Sequence, residues 1–331
     1  MIFKSTAWAI GFRNSLAALM ATAALSSCGG GSQLVAFAPT RFIAFGDETS
    51  VIDSTGRKFT INALKTDLTT LDCSLNPIWI QALTSYYGLV FAQCNPAAVA
   101  TPTAFIRAAA NAKVADVVAQ VDAQVAAGGF AGTDLVTVLA GANDILTLYK
   151  QYPAVPYDQL KVSVEAAGAL LATQVNRIAA LGGKVIVSTV PDLGLTPYAL
   201  AEKAANTGTG ADADRAAILV TLTKRFNDKL IVGLVNNGRT TGLIFTDELV
   251  QTMVKFPTNY GLLNVVDPVC DVSKAPVVSA CTTQTLVSLV APATTAPTGD
   301  TRLWADSIQL STAGHRNFGS LAVTRARGNP F

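Results

Sequence analysis

Phe42-Ile43-Ala44-Phe45-Gly46-Asp47-Glu48-Thr49-Ser50 is the stretch on which the reading of this chain turns. Its four consecutive apolar residues predict a buried strand over Arg41–Gly46, and the Gly-Asp pair predicts a sharp exit from a sheet edge. A continuous apolar run, unlike an alternating one, belongs to a strand covered on both faces, as parallel strands are. In open α/β sheets, ligands sit in the crevice beyond the carboxyl ends of the strands. Glu48, just past this strand, is therefore placed to act.

Outward from that stretch, apolar runs alternate with helical patterns. Asp134–Gly141, Lys184–Val190 and Gly242–Thr246 read as further strands, and Gly88–Gln93 as a weaker one. Val114, Val117, Val118, Val121 and Val125 recur at helical spacing and predict one helix, stopped at Gly128-Gly129. Leu160, Val164, Ala167, Leu171, Gln174, Ile178 and Leu181 predict a second, stopped at Gly182-Gly183, with Gln174 as its polar break. A third is expected from Asp212 to Val235 and a last one after Ser311. Strand–helix alternation with buried strands predicts an α/β fold built on a doubly wound parallel sheet. Asn206–Asp214 and Ser279–Asp300, rich in Gly, Thr, Pro and Asp, read as surface excursions rather than domain linkers.

The first 27 residues read as a targeting segment. Lys4 and Arg13 carry its positive charge, and the run from Leu16 to Leu25 is apolar but too short to span a bilayer. It ends in Leu25-Ser26-Ser27-Cys28-Gly29, which resembles the lipobox of bacterial lipoproteins. The resemblance implies cleavage before Cys28, acylation of that residue and attachment to a lipid bilayer. Gly29, rather than Asp, after the cysteine implies the outer membrane of a Gram-negative envelope. An ordinary cleaved export signal, or a membrane-anchored helix, is the alternative. The expected organisation is a signal over 1–27, a lipidated Cys28 and flexible tether over 28–40, and one domain over 41–331.

Composition narrows the partners. The net charge of +2 comes from 24 basic and 22 acidic residues, and removing Lys4 and Arg13 makes the rest neutral. Charged residues are 14% of the chain, well under the usual ~25%, and no Lys/Arg cluster of the kind nucleic acid requires is present. About 290 residues beyond the tether are enough for one large core. The chain is expected to be monomeric. With Cys28 set aside, Cys73, Cys94, Cys270 and Cys281 remain, an even set suited to an oxidising compartment. Of the three pairings they allow, sequence proximity favours Cys73–Cys94 and Cys270–Cys281. Without a Cys-x-x-Cys and with a single histidine, no metal site is expected, nor any cofactor.

Four places carry chemistry. They are Gly46-Asp47-Glu48; Gly141-Ala142-Asn143-Asp144, where an Asn amide can face developing negative charge; Val190-Pro191-Asp192-Leu193-Gly194; and Trp304-Ala305-Asp306-Ser307-Ile308-Gln309, followed by Ser311-Thr312-Ala313-Gly314-His315. Their order resembles the SGNH, or GDSL lipolytic, hydrolases. That family has Gly-Asp-Ser after its first strand, a Gly in a small-residue loop, Gly-x-Asn-Asp after the third strand and Asp-x-x-His before the last helix. Phe226-Asn227, Pro191-Asp192-Leu193-Gly194 and Tyr260-Gly261 through Asp267 and Cys270 resemble secondary landmarks of the family. The resemblance spans about residues 41–327. It implies a three-layer α/β/α, flavodoxin-like sheet and hydrolysis of acyl esters without a cofactor.

The departures fall where the chemistry lies. Glu48 stands at the nucleophilic Ser, Gln309 at the catalytic His, and Asn111, in Ala108-Ala109-Ala110-Asn111-Ala112-Lys113-Val114, at the loop Gly. Asn143 remains for the oxyanion and Asp306 as the orienting acid. A Ser hydroxyl needs a base to take its proton, and an amide at 309 does not titrate near neutral pH. Losing a triad member removes ~10⁴-fold or more of rate. Glu48 is expected to place its own charge beside Asn143. The resulting expectation is a non-catalytic or very weak ester-hydrolase homologue that binds a polar, glycan-like ligand or scaffolds the envelope. The alternative is an active esterase with a shifted triad, in which Ser50 or Thr49 acts with His315. A carboxylate pair of Glu48 with Asp47 or Asp306 is a third arrangement.

Overall fold

The computed structural model describes residues 37–209, 214–235, 238–288 and 298–328. Residues 1–36, with the signal segment and Cys28, lie outside the described residues, as do parts of both surface excursions. In chain order the strands are β1 (Arg41–Gly46), β2 (Ala63–Leu64), β3 (Leu71–Asp72), β4 (Ala104–Ile106), β5 (Asp134–Leu139), β6 (Lys184–Ser188) and β7 (Thr241–Ile244). The helices are α1 (Trp79–Tyr86), α2 (Val114–Ala126), α3 (Ala142–Tyr149), α4 (Tyr157–Ala180), α5 (Pro197–Ala205), α6 (Arg215–Gly233), α7 (Thr246–Lys255) and α8 (Thr312–Gly328).

Five strands form one sheet in the order β4-β1-β5-β6-β7, and every pairing in it is parallel. The second of these strands in sequence lies outside the first and the others follow in turn, which is the flavodoxin-like winding. β2 and β3 form a separate antiparallel pair. Alternation along each strand divides the core into two layers. Ile43, Phe45, Val136, Val138, Val185 and Val187 pack with α2, α3, α4 and α6 on one face. Phe42, Ala44, Leu135, Ile186 and Ile244 pack with α1, α7 and α8 on the other. Near-total burial of β1 and β5 is why their sequences are apolar at nearly every position instead of at every second one.

The outermost strand differs from expectation. Residues 88–93 do not form it; β4 does, and Phe91 makes a single bridge to Ala104. The Val90 carbonyl accepts from Ala104 N–H at 3.0 Å, so the apolar run lies along the edge without pairing over its length. Two ends of the expected stripes also turn outward: Val125 is 36% and Leu181 44% exposed. Gln124 occupies the interior place beside Val125, where its side chain accepts from Arg107 and donates to the Gly129 carbonyl. Gln174 is buried as well and accepts from Arg177 at 3.4 Å. Both predicted disulfides are present, Cys73–Cys94 and Cys270–Cys281.

Candidate functional site

The carboxyl ends of β1 and β5 build the site, and glycine is required at both exits. Gly46 has φ +128°, and a Cβ there would lie 1.7 Å from the Leu139 carbonyl oxygen of β5. Gln120 of α2 clamps the same peptide, accepting from Gly46 N–H at 2.9 Å and donating to its carbonyl at 3.0 Å. Gly141 has φ +126°, and a Cβ there would lie 2.3 Å from the Phe226 ring. The chain then enters α3, so Asn143 lies in the first turn of a helix, not on an open turn.

Glu48 begins a single 3-10 turn, Glu48–Ser50, whose cap is Asp47 accepting from Thr49 N–H at 3.0 Å. The Glu48 side chain meets three donors. Its Oε2 accepts from the Asn111 backbone N–H and from Asn143 Nδ2, each at 2.9 Å. Its Oε1 accepts from Gln309 Nε2 at 3.1 Å. An ionised carboxylate is acceptor-only, so it suits a pocket made of donors, and such charge-assisted bonds are the stronger ones. Asn143 Nδ2 also donates to the Ala112 carbonyl at 3.1 Å, which fixes its rotation.

Asn111 contributes its backbone, and the loop explains why. The Arg107 and Ala108 N–H groups bond the Ala44 carbonyl and Ala109 N–H bonds that of Gly46, folding the loop over the end of β1. Asn111 then adopts φ +60°, in the left-handed region that Gly and Asn tolerate best. A Gly at this position would offer the same conformation and the same N–H donor.

Asp306 lies on the far wall of the same cleft, and its Oδ1 accepts from the backbone N–H groups of Ile308 and Gln309 at 2.8 and 2.6 Å. It shapes the turn that presents Gln309. Thr49 Oγ1 reaches Gln309 Oε1 at 3.5 Å. The cleft holds about 560 Å³, with Glu48, Asn143 and Gln309 lining it and Val272, Pro276 and Val277 forming an apolar wall. That wall belongs to the loop closed by Cys270–Cys281. Lys113 and Lys150 complete the rim and were not legible in the sequence, since isolated surface lysines carry no pattern.

The residues of the shifted arrangement lie elsewhere. Ser50 is fully buried, and its Oγ accepts from Trp79 Nε1 at 3.1 Å. His315, 1% exposed, accepts at Nδ1 from Trp79 N–H at 3.4 Å, and its Nε2 is buried with no hydrogen-bond partner. Burial, aided by the nearby Lys58 charge, pushes the His315 pKa down to about 3. Neither residue lines the cleft. Asp47 is interior too, and burial together with the Glu48 charge pushes its pKa up to about 8.

The secondary landmarks pin the scaffold. Asn227 brackets Val190, accepting from its N–H and donating to its carbonyl, each at 2.9 Å. Asp192 accepts from Gly194 N–H at 3.1 Å and from Gln251 Nε2 at 2.8 Å. Among the described residues no group of His, Cys, Asp and Glu side chains could hold a metal ion.

No curated protein matches the chain. Among solved structures it is similar to an acetylxylan esterase from Geobacillus stearothermophilus, at 12% identity and a TM-score of 0.39, over 89% of this chain and 97% of that one. A second similar structure is an acetyl xylan esterase, at 10% identity and a TM-score of 0.39, over 85% and 96% of the two chains. An alpha/beta hydrolase enzyme from the metagenome of Lake Arreo, Spain, is similar at 14% identity and a TM-score of 0.37, over 88% and 97%. The model of the family described as GDSL-like Lipase/Acylhydrolase matches residues 43–319, from within β1 to within α8, and the chain belongs to that family.

Proposed function

We propose that this protein is a non-catalytic member of its family, a lipid-anchored envelope protein whose cleft holds a polar or glycan-like ligand without hydrolysing it. One observation carries the reading: the Glu48 carboxylate already occupies Asn111 N–H, Asn143 Nδ2 and Gln309 Nε2. In an acyl transfer, donors of this kind must be free to meet the oxyanion that develops in the transition state. Here a resident anion uses them in the ground state, and displacing it would leave a largely buried carboxylate unpaired. Glu48 could attack an ester only to form an anhydride, which still requires an activated water, and Gln309 cannot take a proton from that water.

The shifted triad gains no support from the geometry, because Ser50 and His315 are both interior and committed to Trp79. The lipid anchor at Cys28 belongs to the same proposal and rests on the sequence alone. The test is a panel of short acyl esters given to the wild type and to Glu48→Ser/Gln309→His. Turnover is expected only in the double variant, which regains the hydroxyl and the base and frees the two donors at Oε2. Stoichiometric labelling of the wild type by a serine-reactive phosphonate would overturn the proposal.

A further inference from the structure

Lys150 lines the cleft and also a second, polar depression of about 360 Å³. This volume falls at the small end of the range for ligand pockets. Tyr149 and Lys150 at the end of α3, Tyr198 and Glu202 on α5, and Arg215 at the start of α6 form its walls. The side chains are held in place. Tyr149 donates its hydroxyl to Glu202 at 2.9 Å and meets the Tyr198 ring edge-on, with centroids 6.2 Å apart. The Arg215 guanidinium lies over the Tyr152 ring, 4.4 Å from its centroid. Tyr198 N–H donates to the Ser307 carbonyl at 2.9 Å, tying the depression to the loop that carries Asp306 and Gln309.

Cations outnumber carboxylates around this depression, with Lys150 and Arg215 against Glu202 alone. Other cations of α5 and α6, namely Lys203, Lys224, Arg225 and Lys229, each have a carboxylate partner. Arg215 and Lys150 have none among the described residues; the Glu202 carboxylate of the same depression accepts from Tyr149 and lies beyond ion-pair distance of both. The Tyr198 hydroxyl is also without a hydrogen-bond partner among them. Two cations and a phenol donor thus face one depression beside a single carboxylate, in a chain whose charged fraction is only 14%. A stacked guanidinium is pre-organised to grip a planar or tetrahedral anion, whereas a lysine adds a movable point charge.

We propose that this depression binds a single anionic group, a carboxylate or a phosphate, of a ligand whose polar body continues past Lys150 into the cleft. The inference goes beyond the reading of the cleft as non-catalytic and holds whether or not esters turn over there. Isothermal titration of the full-length protein with glucuronate, inorganic phosphate and neutral glucose tests it. Saturable binding of at least one anion is expected, weakened by salt, with no binding of glucose. Arg215→Gln and Lys150→Gln should each weaken that binding about tenfold, equivalent to about 1.4 kcal/mol, with thermal midpoints unchanged. Binding of glucuronate alone would identify a carboxylated ligand, and of phosphate alone a phosphorylated one. The proposal fails if neither anion binds saturably, or if both variants bind with wild-type affinity. Ester turnover is read separately, so its outcome does not decide this one.

Discussion

Glu48, Gln309 and Asn111 are the three proposed departures from the family pattern, and on that reading they do not depart in the same way. Glu48 and Gln309 would stand in for groups whose protonation chemistry has no substitute. Asn111 would stand in for a glycine whose contribution is a left-handed backbone and an N–H, and this residue supplies both. The sequence identified the positions, because Gly-Asp and Gly-x-Asn-Asp are local patterns. It could not separate a side-chain role from a backbone role at 111, because φ is set by the fold of the whole loop. His315 was likewise visible as the lone histidine but not as an interior one. With its folded pKa at about 3, against an ordinary value near 6.5, the unfolded chain binds a proton between these values that the folded chain does not. Stability from this residue is therefore full above about pH 6.5 and falls as the pH drops through that window. Urea unfolding at pH 7 and at about pH 4.5 should show wild type losing on the order of 2–3 kcal/mol relative to His315→Gln. Equal pH dependence in the two proteins would contradict the buried neutral state.

At the scale of elements, the long periodic segments were legible and the short ones were not. β1, β5, β6 and β7 fall within a few residues of the expected strands, and α2, α4, α6 and α8 correspond to the four expected helices. α1 and α3 are only eight residues each, too short for a 3.6-residue period to declare itself. β4, three residues long, is an edge strand chosen by pairing with β1 and not by its own propensity. Contacts between elements explain the glycines at the strand exits. Gly141→Ala should destabilise the protein by roughly 2–4 kcal/mol, since it combines a disfavoured φ with a methyl driven into the Phe226 ring. Phe226→Leu in the same chain should recover part of that loss by opening space beside residue 141. A urea-midpoint double-mutant cycle measures the coupling, and strictly additive effects would show that the close approach does not matter.

At the scale of the whole molecule, the cleft joins residues that are far apart in the chain: Glu48, Asn111, Asn143 and Gln309. The parallel sheet places the first three side by side, because β4, β1 and β5 are neighbours and end at the same edge. The Cys270–Cys281 bridge holds the apolar wall opposite them. Attachment lies outside this arrangement. Among the described residues no helix is long and apolar enough to cross a membrane; the proposed anchor at Cys28 rests on the sequence alone. Mass spectrometry of the mature N-terminus should find a tri-acylated Cys28, and Cys28→Ala should release the protein from the membrane fraction. An unmodified N-terminus would remove the anchor from the proposal.

The sequence by itself determined the α/β class, the parallel sheet and the chemical identity of the site, because apolar runs, glycine exits and residue types are local properties. Phe45-Gly46-Asp47-Glu48 already carried the strand, its exit and a carboxylate just beyond it. Only the tertiary structure decided that the Glu48 carboxylate bonds Asn111, Asn143 and Gln309, that Ser50 and His315 are interior, and that Lys150 joins the cleft to a second depression. Each of these depends on distances between segments up to 261 residues apart, which no local pattern encodes.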